Sequence, residues 1–347
     1  MKLTNRLSWM AGLAFAAAVI VAVSAPRLAG QSVTTNPYRP LLNWGELPEG
    51  RSWGATSAVA IAADGNIWVA ERCGANTCVG SDVDPILLFN KDGKLLRSFG
   101  AKMLAWPHGM HVDRDGNLWI ADAWQQNATT TGHAVHKFSP EGTLLMTIGV
   151  PGHAGDPPHR LTRPSDVLTA PNGQIYIVEA HDQSKNRITK WAADGTYIET
   201  WGEAGYGPKQ FRDPHALAMD SQGRIFVGDR YNNRIQIFDQ EGNFQAIWTQ
   251  FGRPSGIFID KDDRIYVADS ESSPAADRYM GQRNAGWEKG IRIGDAKTGW
   301  VHHFIPDDRV NVMGYSGPEG VAVDDEGNVY GAEVSQRRVV KWVRFRP

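Results

Sequence analysis

The sequence predicts an all-β fold, a six-bladed β-propeller, on the basis of three observations. One plan of four short segments recurs along the chain of 347 residues. Within these segments apolar and polar residues alternate, which is the pattern of β-strands with one buried face. The turn residue after the first segment recurs at intervals of 40–64 residues, which is near the length of a propeller blade and too long for most helical solenoids.

The unit that begins at Pro214 shows the plan most clearly. Its first three segments are residues 214–220, 224–229 and 233–239, and the unit ends at Gly252. Glycine-rich turns separate the segments, as they do in antiparallel sheets. The same plan begins at Pro107, Pro164, Pro254 and Pro318, and in a degenerate form at Thr56. Six units of four strands make six propeller blades.

The last unit lacks a fourth segment, because the chain ends soon after its third segment, residues 339–345. Near the N-terminus, residues 42–45 (Leu-Asn-Trp-Gly) resemble the segments that close other units, such as 200–202 (Thr-Trp-Gly). We therefore expect an N-terminal strand to complete the last blade and to cover its open edge. The propeller would span residues 39–347, and residues 31–38 would be a flexible lead-in.

The first 30 residues have the pattern of a secretory signal. Lys2 and Arg6 precede an apolar run over residues 9–25, and this order is typical of a cleaved signal peptide. The alternative is an uncleaved anchor, because an apolar run of 17 residues reaches the lower limit for crossing a bilayer. We expect cleavage of residues 1–30 and an exported protein, periplasmic or extracellular, with no membrane contact after cleavage.

The cysteines and the net charge narrow the expected covalent cross-links and the classes of binding partner. Cys73 and Cys78 are the two cysteines of the chain, and in an oxidising compartment we expect them to form a disulfide. A metal-binding pair and a catalytic thiol are weaker alternatives. The 36 Lys and Arg residues against 38 Asp and Glu give a formal net charge of −2, so nucleic acid is not an expected partner. We expect a monomer.

A ring of six residues is expected at one mouth of the central channel, just before the strands that line it. These positions hold Ser57, His108, Ser165, His215, Ser255 and Glu319. Blades 2, 4 and 6 lie about 120° apart around the axis, and they carry His108, His215 and Glu319. Two imidazoles and a carboxylate can bind one divalent ion, zinc above all, although iron and manganese also accept such ligands. The alternative is a polar lining of a wet channel.

A second ring, of carboxylates, is expected where the second strand of each blade ends. Its members are Glu71, Asp122, Glu179, Asp229, Asp269 and Glu333. A carboxylate in every blade is more typical of architecture than of catalysis. Arg72 and Arg230 follow two of these carboxylates, and each could bind an anionic substrate group or pair with the ring. His181 in blade 3 could be a general base, an additional metal ligand or a surface histidine.

Blade 4 carries the sequence that identifies the repeat. Residues 232–238 read Asn-Asn-Arg-Ile-Gln-Ile-Phe, which resembles the NHL repeat. From about residue 55 onward the chain is similar to the peptidyl-α-hydroxyglycine α-amidating lyases. The similarity rests on Pro-His-Gly-Met at 107–110, Pro-Ser-Asp-Val at 164–167, Trp-Gly-Glu at 201–203, Pro-His at 214–215 and Gly-Asp-Arg at 228–230.

This resemblance implies a propeller with a catalytic zinc at one mouth and a structural calcium in the channel. His108 and His215 match two of the family's three zinc histidines. Arg72 and Arg230 match arginines of the family's active site.

Three positions depart from the family pattern. Glu319 stands where the third zinc histidine would be, and it can still ligate a metal. The family's catalytic tyrosine is missing from residues 179–182, where His181 is the candidate replacement. The family's calcium-binding aspartate is Gly320 here, so calcium is not expected.

The function that these features predict is that of an exported metal-dependent lyase. Such an enzyme would cleave the C–N bond of a carbinolamide, and its substrate would be a small anion or a peptide. Two alternatives stay open. The first is a non-catalytic NHL propeller that binds a protein, peptide or glycan through insertions around residues 123–133 and 271–290. The second is a propeller hydrolase or lactonase that uses the same metal.

Overall fold

Six antiparallel sheets of four strands follow one another in the part of the chain that the structure describes. The structure is a computed structural model, and it describes residues 35–123, 130–181, 185–273, 283–308 and 315–345. The first strand of each sheet packs against the first strands of the two neighbouring sheets, and this ring of contacts is closed. The predicted propeller of six blades is therefore confirmed.

Blades 1 to 3 follow the predicted segments. Blade 1 consists of β2 (Thr56–Ile61), β3 (Ile67–Glu71), β4 (Ile86–Phe89) and β5 (Leu95–Phe99). Blade 2 consists of β6 (Pro107–Val112), β7 (Leu118–Asp122), β8 (Ala134–Phe138) and β9 (Leu144–Ile148). Blade 3 consists of β10 (Pro164–Thr169), β11 (Ile175–Glu179), β12 (Arg187–Trp191) and β13 (Tyr197–Trp201).

Blades 4 to 6 repeat the arrangement. A short parallel pair, β14 (Glu203–Ala204) and β15 (Gln210–Phe211), leads into blade 4. Blade 4 consists of β16 (Pro214–Met219), β17 (Ile225–Asp229), β18 (Arg234–Phe238) and β19 (Phe244–Trp248), with a 3₁₀ helix over Arg230–Asn232. Blade 5 consists of β20 (Pro254–Ile259), β21 (Arg264–Asp269), β22 (Gly290–Asp295) and β23 (Val301–Pro306). Blade 6 consists of β24 (Pro318–Val323), β25 (Val329–Glu333), β26 (Arg338–Arg344) and the N-terminal β1 (Tyr38–Trp44).

The N-terminal strand completes the last blade, as predicted. β1 pairs antiparallel with β26, with Trp44 opposite Val339. Trp44 is 3% exposed, and its ring lies 5.4 Å from Phe89 of blade 1 and 5.1 Å from Tyr330 of blade 6, between centroids. One buried side chain therefore joins the first blade to the last.

The core is divided among the interfaces between blades. Six clusters of buried apolar side chains are found in the described part of the chain, one between each pair of neighbouring blades. Between blades 3 and 4, for example, Tyr176 and Val178 of one sheet pack with Leu217 and Val227 of the next. Because each first strand is held from both sides, the backbone around the axis is a rigid platform for side chains.

The second ring of carboxylates is architectural, as predicted. Asp122 accepts hydrogen bonds from the backbone N–H groups of Ala105, Trp106 and Gly132 at 2.6–3.1 Å. The other members bond in the same manner to backbone N–H groups, to arginine side chains or to both: Glu71, Glu179, Asp229, Asp269 and Glu333. These buried carboxylates anchor the loops that lead into the channel-lining strands.

Some predictions extend beyond the described residues. The expected signal, residues 1–30, lies outside them, and so do residues 124–129 and 274–282 of the two insertions. Within the expected lead-in, Thr35 forms a β-bridge with His303. Among the described residues, no helix has the length and apolar character needed to cross a bilayer.

Candidate metal centre

Backbone bulges aim the six ring residues at the axis. In every channel-lining strand the register with the second strand shifts at the ring residue. In blade 4, Pro214 pairs with Asp229 and Ala216 pairs with Gly228, which leaves His215 outside the register. A bulge re-aims a side chain, and all six ring residues line one cavity on the axis. The predicted ring therefore exists.

Neighbouring blades orient the two ring histidines. His108 Nδ1 lies 2.7 Å from the carbonyl oxygen of Ser165, and His215 Nδ1 lies 2.7 Å from that of Ser255. A carbonyl oxygen only accepts, so each Nδ1 carries the proton and donates it. Each Nε2 then points toward the axis, as it does in histidines whose second nitrogen ligates a metal. Ser165 and Ser255 thus each orient an imidazole through a backbone carbonyl.

Four ligand-type side chains of the described residues meet at this mouth. Glu319 Oε1 lies 3.1 Å from His108 Nε2 and 3.4 Å from His215 Nε2. His181 Nε2 lies 3.1 Å from His108 Nε2. The ring nitrogens of the three histidines that face one another all lie within 4.8 Å. The structure thus brings together the predicted set of His108, His215 and Glu319, and it adds His181.

The donor set fits a divalent cation. With its proton on Nδ1, His108 presents a lone pair at Nε2 to both Glu319 Oε1 and His181 Nε2. His215 Nε2 is buried and has no hydrogen-bond partner among the described residues. Burial lowers the pKa of His181 to about 3 and lowers the pKa of His215 well below its ordinary value, so both rings are neutral at neutral pH. Neutral imidazoles with facing lone pairs, beside a carboxylate, are the ligands that zinc and similar ions prefer.

His181 is held in the cluster by its backbone. Its φ is 55°, a left-handed conformation that is strained for a residue with a side chain. Its N–H donates to Asp213 Oδ1 at 2.8 Å, and its carbonyl accepts a hydrogen bond from the Arg163 guanidinium. The imidazole is 13% exposed, so the alternative of a surface histidine is wrong.

Arg72 lies beside the cluster and forms no ion pair with any described residue. Its guanidinium stacks over Trp106 at 3.6 Å from the ring centroid. Nη1 donates to Asn76 Oδ1 at 2.8 Å and Nε donates to the Pro107 carbonyl at 3.3 Å, while the buried Nη2 has no partner in the described structure. Burial lowers the pKa of Arg72 to about 10, which still leaves the side chain charged at neutral pH.

Arg230, in contrast to Arg72, forms an ion pair. Its Nε donates to Asp213 Oδ2 at 3.0 Å, and its Nη2 donates to the same oxygen. The side chains of Arg230 and Asp213 are 6% and 5% exposed, so this is a buried, charge-neutral pair. Pairing of Arg72 or Arg230 with the carboxylate ring, the sequence-based alternative to substrate binding, is therefore wrong.

The disulfide forms as predicted, and it lies next to Arg72. Cys73 and Cys78 are joined, and the loop that they close contains Asn76. The carbonyl of Asn76 accepts a hydrogen bond from Trp106 Nε1 at 3.0 Å, in addition to the side-chain contact with Arg72. The cross-linked loop thus supports both the cation and the aromatic ring beside the cluster.

The channel next to the cluster does not fit the calcium ion that the resemblance implies. Asp166 is a carboxylate in this cavity, but its oxygens already accept backbone N–H groups from Val167 at 2.9 Å and Leu217 at 2.8 Å. Burial also raises the pKa of Asp166 to about 7. Gly320 offers no ligand, and a β-carbon there would lie 2.7 Å from the Ser57 carbonyl oxygen, so the close backbone approach excludes a side chain.

Sequence reasoning missed two residues of the site, Trp106 and Asp213. Each directly precedes the proline that begins a channel-lining strand, in blade 2 or blade 4. The Trp106 ring lies 5.3 Å from His108 and 5.4 Å from His181, between centroids. A comparison of the residues two positions before the ring, blade by blade, would have drawn attention to both.

Comparisons with known proteins agree with this architecture. A family model described as NHL repeat matches residues 211–238, and one described as strictosidine synthase-like, N-terminal, matches residues 308–335. A solved structure of a streptogramin B lyase superposes with a TM-score of 0.54 at 12% identity, and the match covers 88% of this chain and 97% of that one. At this identity the likeness shows the fold alone.

Three curated relatives are similar in sequence. Human NHL repeat-containing protein 3 is 31% identical over 241 residues, which are 66% of this chain and 66% of that protein. Peptidyl-glycine alpha-amidating monooxygenase B of Xenopus laevis is 30% identical over 267 residues, 72% of this chain but 27% of that protein. A probable peptidyl-alpha-hydroxyglycine alpha-amidating lyase of Caenorhabditis elegans is 26% identical over 189 residues, 52% of this chain and 51% of that protein. The match thus spans slightly less than two thirds of the first relative and smaller parts of the others.

The fold and the site define a propeller of six blades with imidazoles and a carboxylate gathered on its axis. The chain is an NHL-repeat β-propeller that resembles the peptidyl-α-hydroxyglycine α-amidating lyases.

Proposed function

We propose that this protein is an exported, metal-dependent lyase that cleaves the C–N bond of a carbinolamide bearing a carboxylate. The observation that carries the proposal is the buried cluster of His108, His181, His215 and Glu319 beside Arg72. A guanidinium nitrogen without a partner among the described residues, next to a set of metal ligands, suits a substrate with a carboxylate close to its reacting hydroxyl. The amidating relatives are named for chemistry of this kind.

We assign the ion to His108, His215 and Glu319, because Glu319 Oε1 approaches both imidazoles. A divalent ion in this position supplies Lewis-acid activation, which lowers the pKa of a bound hydroxyl. Arg72 binds the substrate carboxylate through Nη2, which has no partner among the described residues, and the Trp106 ring forms one side of the site. His181, neutral at neutral pH, accepts the hydroxyl proton.

The proposed reaction balances without a co-reactant. The hydroxyl proton passes to His181, the C–O bond becomes a carbonyl, and the C–N bond breaks with its electron pair moving to nitrogen. His181 returns the proton to that nitrogen. An N-acyl-α-hydroxyglycine thus yields a primary amide and glyoxylate. No water is consumed, which separates this reaction from that of a hydrolase or lactonase.

The first experiment measures metal by plasma mass spectrometry in the purified protein, beside the double variant His108→Ala/His215→Ala. We expect about one zinc or related ion per chain, lost in the variant. The matched control is His302→Ala, an exposed histidine of blade 5, which should keep the metal. A wild-type protein that takes up no metal after reconstitution contradicts the proposal and leaves a binding propeller.

The second experiment incubates the metal-loaded protein with an N-acyl-α-hydroxyglycine and identifies the products by chromatography. Equal amounts of amide and glyoxylate support the lyase. Cleavage of a lactone or an ester, with no glyoxylate formed, would identify a hydrolase instead.

Export is part of the same proposal. Its support is the N-terminal pattern of residues 1–30 and the disulfide between Cys73 and Cys78. Mass spectrometry of the protein recovered outside the cytoplasm should show removal of the N-terminal segment.

A further inference from the structure

We propose that Asp213 sets the anion specificity of the site by withdrawing Arg230 from the substrate, so that the site accepts one carboxylate next to the reacting carbon. The inference rests on the proposed function for the class of substrate. Its structural basis is the set of contacts that Asp213 makes.

The two arginines beside the cluster differ in whether a neighbouring carboxylate neutralises their charge. Asp213 holds Arg230 through two hydrogen bonds to one carboxylate oxygen. Arg72 has no carboxylate within 4.0 Å among the described residues, and its Nη2 is free of partners there. A buried charge without a partner is costly, and a bound anion removes this cost. Of these two arginines, only Arg72 therefore presents an uncompensated charge to a substrate.

Asp213 is fixed in its position by neighbouring loops. Its own N–H donates to Asn186 Oδ1 at 2.7 Å, and its second oxygen accepts the N–H of His181 at 2.8 Å. Its φ is 56°, again a left-handed conformation. If the carboxylate turned away to release Arg230, His181 would lose the hydrogen bond that supports its strained backbone. Release of Arg230 is therefore coupled to disorder of the proposed base.

This arrangement discriminates between anions by their charge. A single carboxylate can pair with Arg72. A second carboxylate on the same carbon would find Arg230 already neutralised, and it would approach the charges of Asp213 and Glu319. Discrimination by repulsion of the unwanted ligand is as effective as added attraction for the preferred one.

Two variants separate the roles of Asp213. Asp213→Asn keeps an oxygen that can accept the His181 N–H, but it removes the charge that holds Arg230. Asp213→Ala removes both. We expect both variants to free Arg230 and to lower kcat, and we expect Asp213→Ala to lower kcat further than Asp213→Asn, because only the alanine variant also loses the hydrogen bond to His181. A higher kcat in Asp213→Asn than in Asp213→Ala would show that the hydrogen bond to His181 contributes to turnover independently of the charge of Asp213.

The decisive experiment is calorimetry of the zinc-loaded protein with two α-hydroxy anions, glycolate and 2-hydroxymalonate. Wild-type protein should bind glycolate more tightly. In both Asp213 variants the affinity for 2-hydroxymalonate should rise about 10- to 100-fold relative to the affinity for glycolate. This change in affinity corresponds to the typical free energy of a hydrogen bond to a charged group. A role in folding alone would weaken both anions equally.

The matched control is Asp220→Asn, which breaks the pair of Asp220 with Arg224 in the same blade and should keep the wild-type preference. An unchanged ratio of the two affinities in both Asp213 variants overturns the inference, and so does a wild-type protein that binds neither anion. Anion binding needs no turnover. If carbinolamides are not cleaved while the ratio shifts as expected, the lyase proposal fails and the role of Asp213 stands.

Discussion

His181 Nε2 lies 3.1 Å from His108 Nε2, although 73 residues separate them in the chain. The two imidazoles come from neighbouring blades. His108 is oriented by the hydrogen bond of its Nδ1 to a backbone carbonyl, and His181 is held by the hydrogen bond of its backbone N–H to Asp213. This contact joins the loop after β11 to the start of β6. It also places a neutral base within reach of the residues that we assign to the metal.

The contact predicts different outcomes for two substitutions. His181→Gln should retain zinc and lose about 10²–10⁴-fold in kcat, because it removes general base catalysis and leaves the assigned ligands. Glu319→Gln should lower the zinc content. Metal analysis and steady-state kinetics on the same preparations test both, and loss of zinc in His181→Gln would show that His181 is a ligand instead.

Arg72 should govern recognition of the substrate carboxylate. Arg72→Gln should raise the KM of a carboxylate-bearing substrate about 10- to 100-fold, because it removes a charge-assisted hydrogen bond. The KM of the corresponding neutral amide should change little. Arg114→Gln, whose side chain is 73% exposed, serves as the control. Equal effects of Arg72→Gln on both substrates would contradict the assignment.

The disulfide should support the anion site through Asn76. The double variant Cys73→Ser/Cys78→Ser should lower the free energy of unfolding by about 2 kcal/mol, as expected for a very short closed loop. It should also weaken glycolate binding, because Asn76 and its contact with Arg72 lie in the freed loop. Denaturant unfolding and calorimetry measure these effects. Glycolate binding at wild-type strength would show that Arg72 is positioned without the loop.

His136 should make stability depend on pH. Burial lowers its pKa from the ordinary 6.5 to about 4, and Nδ1 bonds only to Thr147 Oγ1 at 3.0 Å in the described structure. Between pH 6.5 and 4 the unfolded chain binds a proton that the folded chain does not, so the free energy of unfolding falls as pH drops through this window. The loss amounts to roughly 3 kcal/mol. Denaturant unfolding of His136→Gln at several pH values should show a correspondingly shallower decline than the wild type, and parallel curves would contradict this origin.

Trp44 should be a main contributor to the stability of the closed ring. Trp44→Ala should lower the free energy of unfolding by about 3–5 kcal/mol, because it leaves a cavity between blades 1 and 6. Trp300, with 59% exposure, is the matched control, and Trp300→Ala should change stability by about 0.5 kcal/mol or less. Urea unfolding of the two variants side by side is the measurement. Similar losses in both would mean that the N-terminal strand does not secure the ring.

Much of the fold could be predicted from local features of the sequence. The alternation of apolar residues in units such as 214–239 specified strands, and the missing fourth segment of the last unit specified closure by the N-terminus. The two histidines and the glutamate on alternate blades followed from the repeat itself. Such features are visible because strand periodicity and turn chemistry depend on residues that are close in sequence.

The partners of the site residues could not be predicted in this way. Nothing near Arg230 in sequence shows that Asp213 neutralises it, and nothing near Arg72 shows that its Nη2 lacks a partner among the described residues. The left-handed backbone of His181 and Asp213 has no marker such as glycine, since contacts from other blades impose it.

The sequence by itself determined the six blades, the closing strand, the disulfide pair and the chemical types on the axis. Only the tertiary structure decided that His181 joins the cluster and that one arginine is neutralised while the other is not. The physical reason is that these outcomes depend on bulges and loop conformations at the meeting of several blades. There, hydrogen bonds between residues far apart in the chain outweigh local preference.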